Sequence, residues 1–121
     1  NNATEDTVTC WGDGTPTREF MYVDDLADAC LFAVEHYSNG ELINVGSGQD
    51  VSIFHLAHKV AALTGYHGKI EWDVSRPNGT PKRPLDYSKI TEKGWSPKYD
   101  LDAGLEKTYL WFQQATNLQT R

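Results

Sequence analysis

The chain contains 121 residues, of which 39% are hydrophobic, 12% aromatic and 23% charged, as in an ordinary globular domain. This length favours a single domain over residues 1–121. The net charge of -6 excludes a general nucleic-acid binder, which needs a basic surface, and no apolar run approaches the roughly 20 residues that cross a bilayer. We therefore expect neither nucleic acid nor a membrane among the partners of this chain.

In chain order, the first predicted element is a strand at residues 8–11, which ends at a Gly-rich turn. Short apolar segments bounded by turn residues predict three further strands, at residues 20–23, 42–45 and 69–73. Apolar residues that recur every three or four positions predict four helices. These helices run from residue 24 or 25 to about 36, from 52 to about 64, over 88–93, and from 100 or 102 to about 115.

Several polar and glycine residues lie where helices begin or end. Asp24 and Asp25 have oxygens that cap a helix N-terminus, so we interpret them as caps rather than as an acid/base pair. Ser52 is predicted to cap the second helix, and Gly65 is predicted to end it in the left-handed conformation. Gly94 is predicted to end the third helix, and residues 117–121 are expected to fray.

The apolar side of each helix defines the expected core. The first helix has apolar side chains on a second side as well, at Leu31 and Phe32, so we expect neighbours to cover it from two directions. Trp95 is expected to fold back onto the core. The helix residues expected to face inward are Leu26, Ala29, Cys30, Ala33, Val34, Ile53, Leu56, Val60, Leu63, Leu101, Leu105, Tyr109 and Phe112. The elements predict an α/β fold of few short strands with packed helices and no complete doubly wound sheet.

The cysteines and histidines predict no metal site and no disulfide. Cys10 and Cys30 are far apart and form no metal-binding or disulfide-rich pattern, so we expect free core thiols in a cytoplasmic protein. His55 and His58 have no cluster of further ligands near them. The polar N-terminus, residues 1–6, does not resemble a signal peptide.

Two polar segments far apart in sequence have matching chemistry. Residues 11–18 (WGDGTPTR) combine an indole, an arginine and a backbone shaped by Gly and Pro. Residues 76–83 (RPNGTPKR) bring three cations into a stretch, residues 74–85, that contains no acid. A flat apolar surface can hold a base, and guanidinium donors can hold phosphate oxygens. The pattern therefore predicts a site for a nucleotide diphosphate.

Motifs along the chain resemble one enzyme family. Residues 18–25 (REFMYVDD) are similar to the R-[DE]-[FY]-x-[YH]-V-x-D signature of extended short-chain dehydrogenase/reductases that act on nucleotide sugars. Residues 43–48 (INVGSG), followed by Ser52-Ile53, resemble the strand, turn and helix that come next in those enzymes. This resemblance implies the small C-terminal substrate-binding domain of such an enzyme.

Within that group, three segments resemble the GDP-L-fucose synthases, which are GDP-4-keto-6-deoxymannose epimerase/reductases. They are residues 11–18, 77–83 (PNGTPKR) and 109–112 (YLWF). The family's full enzymes also contain a Rossmann domain with a Gly-rich cofactor turn and a catalytic Tyr-x-x-x-Lys, and neither motif occurs in this sequence. We therefore assign no catalytic residue. The resemblance implies NADP for a full-length enzyme and no cofactor for this chain alone.

The resemblance implies four substrate-binding residues. Arg18 matches the arginine that contacts the diphosphate, and Trp11 matches a tryptophan lining the nucleotide site. Arg83 takes the place of a family lysine near the phosphates, and Asn78 takes the place of a family aspartate that contacts the substrate. Each has a structural alternative. Arg18 can pair with Glu19 or Asp24, Trp11 can close a strand end, and Pro77-Asn78-Gly79 can be a plain turn.

We therefore predict a GDP-sugar-binding domain of a GDP-L-fucose synthase-like epimerase/reductase, without turnover by itself. A Rossmann domain, or a second copy in a homodimer, is expected to cover an exposed apolar patch. Two alternatives remain. One is a stand-alone nucleotide-binding or protein-interaction module derived from such an enzyme, and the other is the C-terminal part of a different nucleotide-sugar epimerase or dehydratase.

Overall fold

The computed structural model describes residues 6–83 and 85–119, which contain four short strands and four helices. In chain order these are β1 (Thr7–Trp11), β2 (Thr17–Glu19), α1 (Val23–His36), β3 (Asp50–Ser52), α2 (Ile53–Thr64), β4 (Lys69–Asp73), α3 (Ser88–Glu92) and α4 (Leu101–Gln119). This is the predicted α/β fold with few strands, and in the described residues the strands form two separate two-stranded sheets.

The chain divides into two compact units. Unit 1 comprises Asn1–Arg18 and Asp50–Arg83, and unit 2 comprises Glu19–Gln49 and Pro84–Arg121. That the two units fold as a single domain stays a prediction. None of the helices in the described part of the chain has both the length and the apolar character that a membrane crossing requires.

Unit 1 is built on the parallel pairing of β1 with β4. The register runs from Thr7 opposite Lys69 to Trp11 opposite Asp73. Parallel strands need a long connection, and α2 forms part of it. β2, whose first two residues belong to this unit, pairs with β3. Because β1 and β4 are parallel and in register, their carboxyl ends lie side by side, and so do the loops that follow them.

α2 begins and ends where the sequence predicts. The Ser52 hydroxyl accepts a hydrogen bond from the His55 backbone N–H at 3.1 Å. Gly65 ends the helix with φ 69°, a left-handed conformation in which glycine has no steric penalty. One side of the helix and the β1–β4 pair border an apolar hollow of about 420 Å³. The predicted inward side of α2 is therefore only half-buried, and Val60 is exposed.

Unit 2 has a small core in which Ala29 of α1, Ile90 of α3 and Trp95 are buried. The side chains that pack against these three are Met21, Phe32, Ile43, Val45 and Tyr87. The Trp95 indole N–H donates to an Asp28 carboxylate oxygen at 3.1 Å, which satisfies the one polar group of this ring. The prediction that Trp95 folds back onto the core is confirmed.

Asp25 is a buried carboxylate in the first turn of α1, only 2% exposed. Its two oxygens accept hydrogen bonds from the backbone N–H groups of Lys98 and Tyr99, each at 3.0 Å. The N-cap position of α1 is Tyr22, which makes no side-chain cap hydrogen bond. The prediction that Asp24 and Asp25 cap α1 is therefore wrong, since both lie inside the helix, and Asp25 binds the segment before α4.

Two predicted strands differ from the structure. The strand predicted at residues 20–23 lies earlier, at Thr17–Glu19, and α1 already begins at Val23. Residues 42–45 form no strand. Ile43 and Val45 nevertheless both pack against the core of unit 2, as every second residue of a strand would. Leu42 is 82% exposed. A strand needs a neighbour for its backbone hydrogen bonds, and within the described residues this segment pairs with none.

The exposed sides of the helices also differ from the prediction. α1 buries Ala29, but Leu26 and Val34 are exposed, and the free thiol of Cys30 is exposed too. Cys10, also free, is half-buried. α4 extends to Gln119 and leaves Phe112 exposed. Of residues 117–121, which were predicted to fray, 117–119 belong to α4, and 120–121 lie outside the described residues.

Candidate functional site

Two loops of unit 1 are joined by hydrogen bonds: the first loop, which follows β1, and the second loop, which follows β4. Gly12 N–H donates to the Asp73 carbonyl at 2.9 Å, at the end of the strand pair. Further along, Asp13 N–H donates to Asn78 Oδ1 at 2.7 Å, and Thr17 N–H donates to a carbonyl in the same loop at 2.9 Å. The two polar segments that the sequence singles out are therefore neighbours, as predicted.

Gly12 allows the close approach of Asn78. The φ of Gly12, 81°, lies in the left-handed region, and a Cβ at position 12 would overlap Asn78 Oδ1. The amide oxygen of Asn78 thus holds the first loop. The Asn78 side chain also interacts with the Asp13 carboxylate, for which the Nδ2 group is the only donor it has. An amide group has two N–H donors, so Asn78 can support the loop and still offer one N–H donor to a ligand.

Asp13 closes the turn next to Gly12. Its Oδ1 accepts hydrogen bonds from the Thr15 backbone N–H at 2.9 Å and from the Thr15 hydroxyl at 2.7 Å. The Thr15 backbone N–H, then its hydroxyl and the Asn78 side chain, lower the pKa of the Asp13 carboxyl below its ordinary value. Asp13 is therefore an ionised turn residue at neutral pH, and these bonds account for its presence without a catalytic role.

Trp11 is the last residue of β1, and its side chain is 67% exposed. The guanidinium carbon of Arg76 lies over its ring, 5.0 Å from the centroid. The alternative that Trp11 closes the strand end as a core residue does not fit this exposure. An indole that is open to solvent at the end of a strand provides a flat surface for a planar ligand.

Arg18, in β2, is half-buried, and its Nη1 donates a hydrogen bond to the Thr17 carbonyl at 2.6 Å. A Cβ on Gly79 would lie 3.9 Å from its Nη2, so the guanidinium faces the second loop. No ion pair joins Arg18 to a carboxylate in the part of the chain that the structure describes. The structural alternative of a pairing with Glu19 or Asp24 is thus not realised there, and the guanidinium fork keeps donors for an anion.

The other cations of the second loop fall into two classes. Arg76 and Lys82 are paired with carboxylates, at 3.5 Å from Asp73 and 2.5 Å from Asp50 respectively. Arg83 is exposed and makes no ion pair among residues 6–83 and 85–119. Of the four predicted binding residues, two are therefore cations with no carboxylate partner in the described chain. Arg76 is not among the four binding residues predicted from the sequence. The only signal for it in the sequence is its position three residues after the end of β4.

The described residues contain no group of three or more His, Cys, Asp or Glu side chains arranged to hold a metal ion. The Ser52 hydroxyl lies 2.8 Å from His55 Nδ1, but it also caps α2 by accepting from the His55 backbone N–H. A capping role accounts for this pair. The geometry of unit 1 offers guanidinium donors for an anion and an exposed ring for a planar group.

Known proteins resemble this chain in sequence. Residues 1–46 match the NAD dependent epimerase/dehydratase family. A probable GDP-L-fucose synthase from rice (Oryza sativa subsp. japonica) is 52% identical over 112 residues, which are 93% of this chain and 34% of that protein. The matched region is similar in sequence to proteins named GDP-L-fucose synthase. It spans about a third of the length of the relatives it matches.

Solved structures of nucleotide-sugar enzymes contain a region with a similar fold. A UDP-glucose 4-epimerase from Thermotoga maritima, solved with UDP-glucose, has a TM-score of 0.81 and 32% identity, over 91% of this chain and 36% of its own. A GDP-L-fucose synthetase from Naegleria fowleri, bound to NADP, has a TM-score of 0.85 over 92% of this chain and 36% of its own. Its identity of 22% supports the fold alone.

Proposed function

We propose that this chain is the GDP-sugar-binding part of a GDP-L-fucose synthase-like epimerase/reductase, and that unit 1 grips the nucleotide diphosphate. The observation that carries the proposal is Arg18, a half-buried guanidinium that faces the Gly79 loop with no carboxylate partner in the described chain. A guanidinium can donate to two phosphate oxygens at once. Relatives of about 50% identity named GDP-L-fucose synthase support guanine as the base.

The proposed roles follow the contacts. Arg18 and Arg83 bind the diphosphate, Trp11 stacks on the base, and Asn78 supports the first loop while its Nδ2 donates to the ligand. The nucleotide would then position the sugar against catalytic groups outside this chain. We assign neither NADP nor a catalytic residue to the chain itself, because the Gly-rich turn and Tyr-x-x-x-Lys do not occur in it.

Titration of the chain with GDP, UDP and dTDP, followed by calorimetry or by NMR, tests the proposal. We expect GDP to bind most tightly. Arg18→Ala should weaken GDP binding about tenfold to a hundredfold, because it removes charge-assisted hydrogen bonds of about 1.5–3 kcal/mol. Lys93→Gln, which removes one exposed cation in unit 2, is the charge-matched control and should leave the affinity unchanged. A preference for UDP would instead favour the different-epimerase alternative, in line with the UDP-glucose 4-epimerase of similar fold.

The outer side of α1 is the surface through which we propose that the chain docks onto the rest of a longer enzyme. Its exposed residues are Val23, Leu26, Cys30, Leu31 and Val34. Together they form an apolar stripe along the exposed side of the helix. We propose that an NADP-binding Rossmann domain covers this surface, because the relatives are about three times as long as the matched region. Residues 42–45 pair with no strand among the described residues and Leu42 is exposed, so this segment offers that domain a strand.

This surface can be tested by measuring the mass of the chain in solution with and without Leu31→Glu. We expect concentration-dependent self-association of the unsubstituted chain through the uncovered stripe, and its loss in the variant. Glu35→Gln, on the same helix, is the control and should not change the mass. A monomer at millimolar concentration would contradict the exposed stripe as a docking surface.

Assay of the chain with NADPH and the GDP-keto sugar should give no product, and turnover would show that the catalytic groups lie in this chain after all.

A further inference from the structure

Arg76 joins the two polar loops through its side chain. Its guanidinium lies over the Trp11 ring at 5.0 Å, and its Nε lies 3.5 Å from Asp73 Oδ2. Both contacts are within unit 1. A planar guanidinium stacks on an aromatic face and still donates at its edge, which an ammonium group does not do in the same way.

The end of β4 fixes the direction of Arg76. Asp73 is the register partner of Trp11, so its carboxylate lies beside the root of the indole. Ser75 holds Asp73 Oδ1 with its backbone N–H at 3.1 Å and its hydroxyl at 2.5 Å, while Arg76 N–H donates to the Asp73 carbonyl at 3.1 Å. This tight turn sends the Arg76 side chain back across the end of β1.

We propose that Arg76 is a positioning residue that holds the Trp11 indole in the plane where it receives the base. This role rests on the proposed nucleotide-binding function. One face of the ring is occupied by the guanidinium, and the side chain remains 67% exposed, which leaves surface for a second planar group. Because the Arg76 guanidinium is already paired with Asp73, its effect on the ligand passes through Trp11. Arg18 and Arg83, by contrast, have no carboxylate partner in the described chain.

Tryptophan fluorescence without ligand tests the contact. The chain has four tryptophans, and subtraction of the Trp11→Phe signal isolates the contribution of Trp11. Arg76→Ala should raise the acrylamide quenching of Trp11, because the guanidinium no longer covers the ring, and Arg76→Lys should restore part of the protection. Lys82→Gln removes a nearby cation of the same loop and should leave the quenching unchanged. Equal quenching in Arg76→Ala and the unsubstituted chain would overturn the proposal.

GDP affinity tests the consequence. Arg76→Ala should weaken GDP binding about two- to fivefold, the range expected for loss of an exposed cation–π contact. In a Trp11→Ala background, Arg76→Ala should weaken GDP binding no more than Lys82→Gln does, because the effect of Arg76 on GDP affinity passes through the indole. Additive losses, or tighter binding by Arg76→Ala, would overturn the positioning role. Failure of the unsubstituted chain to bind GDP would overturn the proposed function, and the binding role of Arg76 with it, whatever the quenching result.

Discussion

Replacement of Asp25 by Asn tests whether the last aspartate of the REFMYVDD segment is structural. The carboxylate is 2% exposed and accepts two backbone hydrogen bonds, from Lys98 and Tyr99. An amide of the same shape has one acceptor oxygen, so its NH₂ group would face a backbone N–H that is also a donor. Hydrogen bonds to a charged acceptor contribute about 1.5–3 kcal/mol each, so we expect a loss of about 2–4 kcal/mol of unfolding free energy.

Urea unfolding followed by tryptophan fluorescence measures this loss, because Trp95 is buried in the same unit. With an m-value of about 1.5 kcal/mol/M, a loss of about 3 kcal/mol lowers the midpoint by about 2 M. Asp24→Asn is the matched control. Asp24 is exposed in the same helical turn, so both variants remove the same interaction with the helix dipole, about 0.3–1 kcal/mol. Equal midpoints for the two variants would refute the structural role of the buried carboxylate.

Two further predictions concern the first loop of unit 1. Gly12→Ala should destabilise the unit more than Gly65→Ala, because both lose a left-handed glycine but only the Cβ at position 12 would overlap Asn78; similar urea midpoints would contradict this. Thr15→Ala should raise the pKa of Asp13 part of the way to its ordinary value in a carboxyl NMR titration, since the backbone N–H remains. Because the folded-state pKa is lowered, the stabilisation from Asp13 is present above the ordinary pKa of about 3.9 and is lost as pH falls through the lower folded value; a loop insensitive to pH between 4 and 2 would count against these bonds.

The elements that the sequence predicts well are those whose signals are local. Ser52 and Gly65 mark the ends of α2 because a cap hydrogen bond and a left-handed φ involve only a few neighbouring residues. The strands at β1 and β4 are bounded by turn residues on both sides. The proximity of the two candidate binding loops follows from the same kind of signal, because a Gly/Pro-rich loop follows each strand and the parallel pairing brings the two loops together.

The errors occur where a neighbour decides the structure. Residues 42–45 have strand-like alternation, but a strand also requires a partner, and none is present among the described residues. Asp24 and Asp25 both suit a helix cap, and only the segment at Lys98–Tyr99 makes one of them a buried acceptor. α1 has apolar residues on two sides, and the sequence does not show which side this chain covers.

The sequence by itself therefore determined the fold class, most helix ends and the four candidate binding residues, because these depend on backbone preferences and motif chemistry over short stretches. Only the tertiary structure decided that Asn78 supports the Gly12 turn and that Arg76 lies over Trp11. These contacts join residues more than 60 positions apart, and their geometry exists only after β1 and β4 have paired in register.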